Sequence, residues 1–149
     1  MEKKKVSLSE LLPVIEETLA SGGTVKLPIT GTSMLPLLRA GRDTVTLSPV
    51  AGNLQKFDIP FYRRRDGAFV LHRIVDCAED NTYTLCGDNQ WVLEKGICDT
   101  QIIGVVTEIT RNGKTFSVES KKYKRYVRGW HYLLPVRKYI VKLRGKLRK

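Results

Sequence analysis

Histidine is scarce in this chain, cysteine comes in an odd number, and no apolar run is long. The three cysteines, Cys77, Cys86 and Cys98, include no CxxC pair. That spacing argues against a disulfide framework and a zinc knuckle, favours a reducing compartment, and reads the thiols as buried small hydrophobes. The longest apolar candidate, the mixed stretch 27–38, falls short of the roughly 18 residues needed to span a bilayer. Glu10, Glu16 and Glu17 interrupt what would have to be the apolar centre of an export signal, so none is expected. No cofactor is expected either, because cysteine spacings of nine and twelve residues match no usual ligand pattern.

What is present suits one folded domain. The 149 residues are 42% hydrophobic and 28% charged, enough to bury a core without a metal or disulfides. The net charge of +11 is unevenly placed. Residues 1–120 carry 14 Lys and Arg against 15 Asp and Glu, whereas 121–149 carry 12 basic residues and no acidic one. The expected organisation is therefore a domain over 1–120 and a basic amphipathic tail over 121–149.

Ser7-Leu8-Ser9-Glu10 reads as a capping box, with Leu11, Ile15 and Leu19 at helical spacing and Gly22-Gly23 as a stop. Pro13 moves the expected helix start toward Ser9, where proline falls near the first turn. From Thr24 the pattern turns to short runs rich in Val, Ile, Thr and aromatics: 24–29, 44–47, 59–63, 68–75, 83–86 and 102–110. Asp66-Gly67 and Asn112-Gly113 are hairpin turns by composition. The fold class expected is mainly β within α+β: an antiparallel β domain with an N-terminal helix and a helical tail that Pro135 breaks in two.

The segment Gly31-Thr32-Ser33-Met34-Leu35-Pro36 sets a serine between a flexible glycine and a proline-stiffened run after a strand. A serine hydroxyl needs a neighbouring base to become a nucleophile at neutral pH. Only two histidines exist, and His131 lies in the tail, so His72, inside the run Phe69–Val75, is the natural partner. An imidazole with its ordinary pKa near 6.5 is mostly neutral at pH 7 and can take and return a proton.

These residues resemble the S-M-x-P nucleophile box of signal peptidases and of the related LexA-like self-cleaving proteins. Three further segments resemble that family in the same order: Phe57-Asp58-Ile59-Pro60-Phe61, Leu71-His72-Arg73-Ile74-Val75 and Leu85-Cys86-Gly87-Asp88-Asn89, so that the likeness covers about residues 24–106. Most bacterial members carry lysine as the base; archaeal and endoplasmic-reticulum signal peptidases carry histidine, and His72 is similar to the latter. The resemblance implies a serine endopeptidase with Ser33 as nucleophile, His72 as general base, and Asp88 or Glu94 as the acid that orients it. Gly-Asp-Asn is equally good turn chemistry, and Glu94 stands where the family usually has aspartate. Phe57 stands in place of a usual glycine, and Gly31 in place of a residue that often has a hydroxyl, so oxyanion stabilisation is expected from backbone N–H groups, one of them at Ser33.

The tail can place Tyr139, Ile140, Leu143 and Leu147 on one side and Lys138, Lys142, Arg144, Lys146 and Arg148 around the other, as an interfacial helix does. An anionic membrane surface is the expected partner, besides a peptide or protein substrate. The competing readings are a solvated helix packed on its own domain and, less favoured, an arm for nucleic acid. A cytoplasmic, peripherally membrane-associated peptidase that processes a leader or signal-like segment is the leading expectation. A LexA-like self-cleaving regulator and a catalytically inactive membrane-surface binding module are the alternatives.

Overall fold

A computed structural model describes residues 8–147. Ser7, and with it the capping box, lies outside the described residues, as do Arg148 and the side chain of Leu147. The described residues form an α+β fold of mostly antiparallel strands with three helices. Helix α1 (Leu8–Ala20) is followed by strands β1 (Val25–Pro28), β2 (Thr44–Ser48), β3 (Pro60–Arg63), β4 (Phe69–Leu71), β5 (Arg73–Cys77), β6 (Thr82–Cys86), β7 (Glu94–Cys98), β8 (Ile102–Arg111) and β9 (Lys114–Ser117). Helices α2 (Lys121–Tyr132) and α3 (Arg137–Leu147), joined by a short 3₁₀ turn over Leu134–Val136, complete it.

A curled half-barrel sheet runs in the order β1-β2-β8-β3-β4, with β9 beside β8, and β5-β6-β7 form a second sheet. The main sheet is built around β8, which buries Val106 and Ile109 on either side of a bulge and pairs with β2, β3 and β9. The β8–β9 connection is the two-residue turn the composition predicts. Asn112 and Gly113 both have positive φ, 51° and 83°, as a turn matching the strands' right-handed twist requires.

The larger core cluster joins Ile15 and Leu19 of α1 to Leu38, Val45, Leu47 and Ile109. The smaller gathers Tyr62, Ile74, Leu85 and Ile97 between the two sheets. Tyr123 and Val127 are buried in the larger cluster, so α2 packs on the β domain, and Ser120 caps it by accepting from the Tyr123 N–H.

Three expectations are corrected. Residues 68–75 are two strands rather than one: the chain leaves the main sheet after Leu71 and enters the second at Arg73, with His72 alone between them. Helix α1 holds Pro13 in its interior rather than in a first turn starting at Ser9; proline faces solvent there while Ile15 and Leu19 pin the helix to the core. Only Cys86 is a buried thiol, for Cys77 is exposed at the end of β5 and Cys98 half-buried. Among the described residues, no helix is long and apolar enough to cross a membrane.

Candidate active site

Ser33 sits in a turn that follows β1, with Met34, Leu35, Leu37 and Leu38 buried beneath it. Three consecutive residues from the loop after β6 clasp this turn. The Asn89 N–H donates to the Ser33 carbonyl oxygen at 2.8 Å, and the Asp88 N–H approaches the Met34 Sδ at 3.4 Å. Gly87 passes so close that a Cβ there would lie 2.6 Å from the Ser33 oxygen. Glycine is thus required by contact, and the Gly-Asp-Asn segment is a positioning element for the serine. The Ser33 N–H and Oγ have no hydrogen-bond partner among the described residues, which leaves one backbone donor for an oxyanion and one hydroxyl for attack.

Ser33 and His72 line the same cleft, about 390 Å³, whose walls are largely apolar and include Leu27, Ile29, Phe61 and Leu71. His72 also lines a second cavity of about 560 Å³, floored by the loop 89–94, so the two meet at the imidazole. The ring is buried at the crossover between sheets, its place fixed by strands on both sides. Burial and the nearby Arg64 guanidinium depress its pKa from 6.5 to about 4, against the opposing pull of Glu94 and Asp88. His72 is therefore neutral at pH 7, the state a general base needs.

Behind the ring, the Tyr62 Oη lies 3.4 Å from His72 Nδ1, and its hydroxyl donates to Glu94 Oε2 at 3.0 Å. Because a phenol has one proton, giving it to Glu94 leaves the oxygen to accept from Nδ1–H. That arrangement selects the tautomer with the proton on Nδ1 and leaves Nε2 as the basic nitrogen. Arg64 clamps the same carboxylate, with Nη2 to Oε2 at 2.8 Å and Nε to Oε1 at 3.0 Å. Burial pushes the Glu94 carboxyl up, but the hydrogen bonds from Arg64 and Tyr62 outweigh it and hold it below the usual carboxylate range.

Of the four residues singled out in the sequence, the structure thus gathers Ser33 and His72 at one cleft and connects Glu94 to His72 through Tyr62. Asp88 is engaged elsewhere. Both of its carboxylate oxygens are taken by the buried Arg73 guanidinium, at 2.8 and 2.9 Å, and Arg73 also donates to the Phe57 carbonyl and the Tyr123 hydroxyl. Asp88 acts on His72 only through its charge. The Trp130 indole N–H donates to the Asp88 carbonyl at 2.7 Å, tying α2 to the clasp.

Tyr62 and Arg64 carry no sequence signal for these roles beyond their place in β3 and just after it. Phe57 has a positive φ of 82°, a backbone conformation uncommon for a residue other than glycine. Its ring is held edge-on against His131 at 5.1 Å and lies under the Lys56 ammonium, which offsets the backbone strain. Among the described residues, His, Cys, Asp and Glu side chains form no group of three able to hold a metal ion. No protein-family model, curated protein or solved structure matches this chain.

Proposed function

We propose that the chain is a serine endopeptidase of the histidine-type signal-peptidase class, that its half-barrel is the signal-peptidase or LexA-like fold, and that it cuts a leader or signal-like peptide. The observation that carries this reading is the cleft that Ser33 shares with a neutral imidazole backed by Tyr62 and Glu94. Its largely apolar walls suit a peptide segment with apolar side chains.

In this mechanism, with substrate bound, Ser33 Oγ attacks the scissile carbonyl carbon while His72 Nε2 takes the hydroxyl proton. The oxyanion is met by the Ser33 N–H, a donor of the kind whose loss costs about 2.7–4 kcal/mol. Collapse breaks the C–N bond as the imidazolium returns its proton to the leaving amine. A water, deprotonated by the same nitrogen, then cleaves the acyl-enzyme and restores Ser33. Tyr62 and Glu94 hold the ring's tautomer throughout and stabilise the imidazolium that forms.

The test is labelling of the purified protein with serine-acylating probes of several chemistries, with mass spectrometry to locate the adduct. An adduct on Ser33 that is lost in Ser33→Ala and in His72→Ala supports the peptidase. A folded protein that no probe labels would sink it and leave the inactive binding module.

A further inference from the structure

The folded domain leaves an apolar surface bare beside the cleft. After the clasp residues, Trp91, Val92 and Leu93 are all exposed, Val92 to 73%. The tail exposes Tyr132 (85%), Leu133, Val136, Tyr139 (70%) and Leu143 (59%). The two stretches are pinned to each other by one buried side chain. Arg137, at the start of α3, donates to the Gln90 carbonyl at 3.2 Å and to the Gly87 carbonyl at 3.4 Å, while its other nitrogen donates to the Trp130 carbonyl at 2.9 Å.

Charge is sorted on the same helix. Arg137, Ile140, Val141 and Arg144 turn toward the body of the protein, buried or half-buried. Helical spacing puts Tyr139 and Leu143 along one edge of the free face and Lys138, Lys142 and Lys146, all exposed, along the other, with Val136 exposed in the turn that precedes the helix. No acidic residue occurs anywhere in 121–149 to neutralise them.

We propose that this face, the 91–93 loop together with the outer side of α3, docks on an anionic lipid bilayer and sets the Ser33 cleft beside the membrane surface. Lysines alone fit any polyanion, nucleic acid included. The exposed aliphatic and aromatic side chains distinguish the occupant, because a bilayer interface takes up Leu, Val, Trp and Tyr while attracting lysine to its headgroups. The tail's short apolar edge suits lying in the interface, and docking does not depend on the chemistry at Ser33.

The experiment is co-sedimentation of the full chain with vesicles of phosphatidylcholine alone and of phosphatidylcholine with phosphatidylglycerol, across salt concentrations. Binding is expected only to the anionic vesicles, weakening with salt, and equal for Ser33→Ala. Each of K138Q, K142Q and K146Q is expected to reduce partitioning about fivefold at low salt. The pair Y139S and L143S, both at exposed positions, is expected to reduce it by a comparable or larger factor while leaving the salt dependence in place. Trp emission is expected to shift to the blue on anionic vesicles, a shift that Trp91→Phe removes. Absence of binding at low salt would overturn the proposal. So would capture by double-stranded DNA or RNA that the lysine variants abolish and Y139S/L143S leave untouched, or a concentration-dependent dimer that buries Trp91 and prevents vesicle binding.

Discussion

The Tyr62 hydroxyl stands between His72 and Glu94, 3.4 Å from the imidazole Nδ1 and 3.0 Å from the carboxylate, so a fully buried phenol connects the imidazole to the carboxylate. Tyr62→Phe keeps the ring and removes the bridge. Ser33 acylation is expected to slow by about tenfold or more, a part of the 10²–10⁴ that a positioned base contributes. A merely structural tyrosine would leave the tautomer alone. Nitrogen chemical shifts of His72 in the variant should therefore show the proton redistributing from Nδ1 toward Nε2. An unchanged tautomer would remove Tyr62 from the relay.

The depressed pKa of His72 makes two pH predictions. The imidazole stays neutral until pH falls to about 4, so acylation of Ser33 should hold level between pH 7 and 5 and fall as pH passes about 4. Stability runs with it. The unfolded chain binds a proton at His72 near pH 6.5 and the native state only near 4, so the unfolded state binds more protons between those values. Stability from this group is fully present above about pH 6.5 and declines as pH falls toward 4, by on the order of 3 kcal/mol in all. His72→Leu should flatten that part of the urea-unfolding free energy against pH; an unchanged slope would assign it to other groups.

Asp88 and Arg73 are a buried pair with both carboxylate oxygens engaged, exposed to 1% and 4% at the side chain. Removing one partner leaves a charge in the interior without compensation, a loss of about 3–5 kcal/mol. Asp88→Ala should therefore destabilise the fold strongly, and the double variant Arg73→Met, Asp88→Leu should recover much of that loss. The comparison separates holding the fold from orienting His72. Equal destabilisation by the single and double variants would show that the ion pair is not what Asp88 contributes.

The strands with β-branched alternation and the Asn112-Gly113 turn were legible in the sequence because local chemistry decides them. The break at His72 was not. The run 68–75 is apolar on both sides of it, since its halves serve cores on two different sheets, and periodicity cannot show a change of sheet. Strand β7 was hidden by its composition, Glu-Lys-Gly-Ile-Cys, in which only Ile97 is buried. Ser33 and His72 were singled out from chemistry and resemblance, whereas Tyr62 and Arg64 were not, because their contacts depend on where β3 ends relative to β7. The ion pair of Asp88 was equally invisible, for it joins residues fifteen apart across two strands' ends.

Gly87 offers the cleanest test of the clasp on the serine. Its φ is not among the positive ones, so alanine can adopt the backbone, and any damage must come from contact. The added methyl would lie 2.6 Å from the Ser33 carbonyl oxygen and 2.9 Å from Gln90 Oε1, and the first of these is backbone that cannot swing aside. Overpacking of this kind costs about 1–3 kcal/mol. Gly87→Ala is accordingly expected to lower stability by that amount and to slow Ser33 labelling further than the stability loss explains, because the turn bearing Ser33 is what must move. Gly129→Ala is the matched comparison. It lies in α2 with nothing within 4 Å of the new methyl and should stabilise by about 0.5–1 kcal/mol through helix propensity, without altering labelling. If Gly87→Ala labels as fast as the parent, the loop 87–89 does not set the position of Ser33.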